Sequence, residues 1–121
     1  MQAEPIEFID FDALRKHVAN YEALFHKLLL LFLEQAPLWI EEVNIAVDSQ
    51  DPTLIRQICH KIKGGAGTLQ AKLIIESAAE LGRHAVDGDL TGAEESRVRL
   101  VSAIDRTIAF VQASGQVRLE C

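Results

Sequence analysis

Between Tyr21 and Ser49, the residues Phe25, Leu28, Leu29, Phe32, Ala36, Trp39, Val43 and Val47 recur at spacings that keep them on one stripe of an α-helix. A stripe this long commits the chain to a long amphipathic helix whose apolar side has to be covered. Pro37 falls inside it and removes one backbone hydrogen bond. The apolar phase nevertheless runs unbroken from Phe32 to Trp39, so one bent helix is expected, with two shorter helices as the alternative.

The remainder keeps the same period and shows no convincing strand alternation. A short helix is expected from Asp10, an N-cap candidate, with Phe11, Leu14 and Val18 at spacings of three and four. Asp51-Pro52 is a strong start signal, a capping carboxylate followed by proline at the first helical position. The helix it opens runs to a short turn near Leu69-Gln70-Ala71. Leu73, Ile74, Ala78, Leu81 and Ala85 then define a hairpin partner that stops at Asp87-Gly88-Asp89. A last helix, with Thr91 as its expected N-cap, repeats Leu100, Val101, Ile104, Ile108 and Val111 before Ser114-Gly115. Four long amphipathic helices with short connections pack most simply as an antiparallel bundle. The fold class expected is therefore all-α: an antiparallel four-helix bundle with a short additional N-terminal helix. Residues 1–121 form one domain, ordered over roughly 8–114, with frayed ends.

A chain of 121 residues suits one domain with a modest core, and a hydrophobic content of 49% excludes a disordered chain. The longest apolar run, Leu28 to Leu33, is far shorter than the ~20 residues of a membrane span, and the first five residues do not form a signal peptide. A cytoplasmic protein without a membrane partner is expected. Cys59, near the edge of its helix's apolar arc, and Cys121, the last residue, have no framework spacing and read as free thiols.

The chemistry concentrates in His60-Lys61-Ile62-Lys63-Gly64-Gly65-Ala66-Gly67. At about 100° per residue, Leu54, Ile55, Ile58, Ile62 and Leu69 fall within one arc. His60 comes out opposite that arc, with Arg56, Lys63, Gly64 and Gly67 nearby, so the imidazole should face solvent. The net charge of the chain is −6, yet Pro52 to Ile75 contains no Asp or Glu and carries Arg56, Lys61, Lys63 and Lys72. An anion is favoured here. Each glycine costs a helix interior ~0.8–1 kcal/mol relative to alanine. Gly64-Gly65 could end the helix as a C-cap, but Ala66 and Leu69 continue the apolar phase. Gly64 and Gly67 are read as clearing space beside the imidazole for a partner, and Gly65 as permitting tight helix packing.

These residues resemble the motif of the histidine-containing phosphotransfer domain family, the helical-bundle carriers of multistep two-component phosphorelays. The family pattern is a histidine, any residue, an aliphatic, a lysine, a glycine and a small-residue run ending in an aliphatic. Here it reads His60 to Leu69, departing at Thr68, where asparagine is frequent, and at Gln70, where glycine is frequent. The resemblance implies that His60 accepts a phosphoryl group from a receiver-domain aspartate and passes it to another receiver. It implies partners among response-regulator receiver domains, with a hybrid sensor histidine kinase as a further candidate. Lys63, one turn on, would offset the charge of the phosphoryl oxygens, while Arg56 and Lys61 attract from further away.

There is no Walker-type loop, no dinucleotide fingerprint and no carboxylate cluster beside His60 to hold magnesium. A phosphocarrier that is not itself an enzyme is expected, with no cofactor and no metal of its own. Magnesium would come with the partner's acidic site, as the resemblance implies. His17, His26 and His84 read as surface or edge residues, with one exception to watch: Arg83 and His84 lie on the helix expected beside His60, so either could border the site. The rival reading is an all-α docking or adaptor module that binds a receiver without phosphotransfer. A nucleic-acid-binding helix fits poorly with net charge −6 and no interleaved aromatics. A monomer is expected. Met1 leans toward a free-standing protein over a domain of a sensor kinase, without deciding it.

Overall fold

The computed structural model describes residues 8–117, among which there are five helices and no strand. The expectations of frayed ends and of a free thiol at Cys121 fall outside the described residues. Helix α1 (Phe11–His17) starts where Asp10 Oδ1 accepts a hydrogen bond from the Ala13 N–H at 3.0 Å. Helix α2 (Glu22–Ser49) is a single helix running through Pro37, so the two-helix alternative falls. Pro37 is exposed, which puts the lost hydrogen bond on the solvent side, where it costs least.

Helix α3 (Pro52–Thr68) opens on Asp51, whose carboxylate accepts from the Thr53 and Leu54 N–H groups at 3.0 and 3.4 Å. It continues through Gly64, Gly65 and Gly67, so these glycines do not cap it. The reversal comes at Gln70, in the left-handed region at φ 60. Helix α4 (Lys72–Asp87) stops at Gly88, whose φ of 70 is one that glycine adopts without strain. Helix α5 (Leu90–Ala113) begins earlier than expected. Its N-cap is Asp89 and not Thr91, because the Asp89 carboxylate already reaches the Gly92 N–H at 2.8 Å.

Helix α2 packs against α3 and α5, and α4 against the same two, closing a four-membered ring of helices. Helix α1 lies on α2 at one end, where Phe11 stacks on Phe110 at 5.3 Å between ring centroids. The core takes Phe25, Phe32 and Val43 from α2, Ile55 and Ile62 from α3, Ile74 and Leu81 from α4, and Leu100 and Ile104 from α5. Length and mean hydropathy alone would let α2 cross a membrane, which the short run Leu28–Leu33 does not reveal. In this bundle its stripe from Phe25 to Val47 faces the other helices.

The core-facing side of α3 is turned from its expected position. Ile55, Cys59, Ile62 and Ala66 are buried, while Leu54 and Ile58 are only half-buried, a rotation of roughly 60° toward Cys59 on the helical wheel. Cys59 is therefore a core residue and not an edge residue. The cause is that α3 packs chiefly on α4, so the buried arc follows that neighbour. His60, the next residue along, is carried to the border with α4.

Gly65 faces Trp39, and a Cβ there would lie 2.7 Å from the indole Cζ2. A Cβ added at Gly64 would meet no atom within 4 Å beyond its own stretch of helix. Gly65→Ala should thus lower stability by about 1–2 kcal/mol, the overpacking exceeding the gain in helix propensity. Gly64→Ala should raise it by up to about 1 kcal/mol. Urea unfolding of the two variants checks the pair, and equal shifts of one sign would contradict this packing.

Candidate functional site

His60 is exposed on the outer side of α3, with Arg56 a turn before it and Lys63 a turn after. The i, i+3 and i, i+4 spacings place both cations on the histidine's side of the helix. From α4 come Ala79, Gly82, Arg83 and Val86, and together these residues line an open groove of about 640 Å³. Gly82 leaves its wall bare, since even an added Cβ would meet only the Cys59 Cβ at 3.6 Å.

The groove is basic. No Asp or Glu lines it, and among the described residues Arg56, Lys63 and Arg83 are in no ion pair. Elsewhere Arg15 pairs with Glu22, Arg97 with Asp48 and Glu94, and Arg99 with Glu80, while Lys16, Lys27, Lys72 and Arg106 are unpaired among the described residues but are not gathered in one groove. Lys61 belongs with the paired cations. Its Nζ donates to both carboxylate oxygens of Glu42 on α2, each at 3.0 Å, so it faces away from the His60 groove.

A second groove, of about 290 Å³, lies on that other side of α3. Leu28, Leu31, Phe32 and Trp39 of α2 form its apolar wall, and Lys61, Gly65, Thr68 and Leu69 its α3 side. Its openness depends on Gly65 having no side chain. Gly64 and Gly67 line neither groove, but each has open space where a side chain would project. His60 thus stands on a ridge with a basic groove toward α4 and an apolar one toward α2.

Of the residues expected from sequence, Arg56, His60 and Lys63 come together; Lys61 does not join them, and Gly64 and Gly67 leave adjacent surface clear. Arg83, on the helix expected beside His60, joins this group: reflecting the α3–α4 hairpin about its turn sets position 59 against 82 and 60 against 81, and 83 lies within one turn of that level and lines the same groove. His84, the neighbouring residue, is not in the groove. Its Nδ1 lies 3.2 Å from Asp89 Oδ2, tying the end of α4 to the start of α5. Near it, the hydrogen bond from Arg99 holds the Glu80 carboxyl below its usual pKa. His17 and His26 are exposed on α1 and α2, outside both grooves.

An exposed imidazole beside cations that no carboxylate neutralises has the side-chain chemistry of a nucleophile toward a group carrying concentrated negative charge. The buried Cys59 cannot share that role. Burial pushes its thiol up to about 11, with Lys63 pulling weakly the other way, so the reactive thiolate is scarce at neutral pH.

The family model described as "Hpt domain" matches residues 27–113. No curated protein matches. Among solved structures, the chain is similar to histidine-containing phosphotransfer protein B from Pseudomonas aeruginosa PAO1, at 19% identity and a TM-score of 0.81, covering 91% of this chain and 96% of that one. It is also similar to the HPT domain of a sensor hybrid histidine kinase from Shewanella, at 14% identity and a TM-score of 0.76, covering 88% and 92%. Likeness at these identities concerns the fold.

In a Cys121→Ser background, Cys59 should resist alkylation at neutral pH until the protein is unfolded. Because the folded thiol holds its proton more tightly than the unfolded one, stability from this group is complete below 9.0 and declines as pH rises toward about 11. Urea titrations across that interval, compared with Cys59→Ala, should show the decline only where the thiol is present.

Proposed function

This chain belongs to the Hpt domain family, and on that premise we propose that it carries a phosphoryl group on His60, taking it from a receiver-domain aspartate and passing it to another receiver. The observation that carries the reading is the exposed imidazole one helical turn from Arg56 and from Lys63, neither of which is in an ion pair among the described residues.

In the transfer, the lone pair of one imidazole nitrogen forms the N–P bond as the P–O bond to the aspartyl carboxylate breaks. The electron pair leaves with the carboxylate oxygen, and the other ring nitrogen keeps its proton. The phosphoryl charge moves without being created, so the protein has to position the reactants and stabilise charge and needs no nucleotide site for the step. Lys63 is assigned the phosphoryl oxygens and Arg56 the approach of the anion. Gly64 supplies the gap through which a partner's acidic site, with any magnesium it holds, would come close. Lys61, held by Glu42, is assigned to the border of the apolar groove instead.

That apolar groove supports docking of the receiver beside His60, with Leu31 and Leu28 as contacts that could be desolvated on binding. Docking alone is the competing reading. It would use the same groove but would not require an accessible imidazole among unpaired cations.

Intact-mass measurement after mixing with phosphorylated receiver domains tests the reading. The wild type should gain an acid-labile phosphate and His60→Gln should gain none, while its unfolding free energy stays within about 0.5 kcal/mol because the side chain is exposed. Binding without an adduct, across several competent receivers, would favour the docking module. Leu31→Glu should leave stability nearly unchanged and raise the receiver concentration needed for half-maximal transfer about tenfold.

A further inference from the structure

We infer that Arg83 is a phosphoryl-binding residue of the His60 site, supplied by α4 and closing on the phosphoryl oxygens from the side opposite Lys63. This rests on the reading of His60 as the phosphoryl acceptor. Three observations carry it. Arg83 lines the same groove as His60, Arg56 and Lys63, and it enters from a different helix. Between the two helices the groove wall is the bare Gly82, so nothing bulky at that position separates the guanidinium from the space beside the imidazole. Arg83 is exposed and, among the described residues, is in no ion pair and makes no side-chain hydrogen bond, unlike Arg15, Arg97 and Arg99.

The chemistry suits a guanidinium. Lys63 offers a point charge, whereas Arg83 presents a planar fork whose N–H groups can donate to two phosphoryl oxygens at once. Donors from two helices hold a tetrahedral group against rotation about the N–P bond, which donors on α3 alone would do less well. Arg83 therefore favours both the transfer step, in which charge is spread over the equatorial oxygens, and retention of the group on His60 afterwards.

The test compares wild type, Arg83→Ala, Arg83→Lys and Arg106→Ala, the last removing an equal charge from α5 outside the groove. Each is loaded in two ways, from a phosphorylated receiver and from phosphoramidate, a small donor that needs no docking. Arg83→Ala should slow loading about tenfold by both routes and shorten the lifetime of the phosphohistidine, with partial rescue in Arg83→Lys, no effect of Arg106→Ala and unchanged melting. Loading and lifetime equal to wild type in Arg83→Ala would overturn the inference, as would an equal loss in Arg106→Ala or a loss that tracks melting. Should receivers transfer nothing to the wild type, the proposed function fails, while the phosphoramidate arm still decides the role of Arg83.

Discussion

The close packing of α3 on α4 is the contact on which the rest of this molecule depends. It draws the buried side of α3 round to Cys59, and in doing so it moves His60 from the far side of the helix to the mouth of an interhelical groove. One residue separates a thiol inside the core from an imidazole in solvent. That adjacency follows from the helical step of about 100°, which can carry consecutive positions across a packing boundary. The same step places Lys61 on the opposite flank of α3, where it meets Glu42.

Charge is arranged to match. The chain is acidic as a whole, and Arg15, Lys61, Arg97 and Arg99 sit against carboxylates where their fields are largely cancelled. Beside His60 the cations do not. Arg56, Lys63 and Arg83 keep their positive potential facing one open groove, so an incoming dianion meets an attractive field concentrated there. The apolar groove on the other flank is built differently, from the leucines of α2 and the absent side chain of Gly65. A single helix thus separates a region suited to an anion from a region suited to apolar contact, with the nucleophile between them.

How much of this could be read without the structure depends on the range of the interaction involved. Helix starts at Asp10 and Asp51 are local events, a carboxylate closing on N–H groups two or three residues on, and they were legible. The start of α5 was misplaced because two capping residues, Asp89 and Thr91, compete within a few positions, and only the backbone path decides which one reaches a free N–H. Continuity of α2 through Pro37 was legible from the unbroken apolar phase. The exposure of His60 was legible too, but the rotation that sets Cys59 in the core was not, since it depends on which neighbour α3 presses against.

The sequence by itself therefore determined the helices, their amphipathic sides, the bundle they form and the exposed histidine with its lysine one turn on. All of these follow from periodicity and from contacts within a few residues. Only the tertiary structure decided that Arg83 joins His60, that Lys61 leaves it for Glu42, and that Leu28, Leu31 and Trp39 open an apolar groove alongside. Those pairings join residues far apart in the chain, and their geometry is set by how closely two helices approach, which no single helix's pattern records.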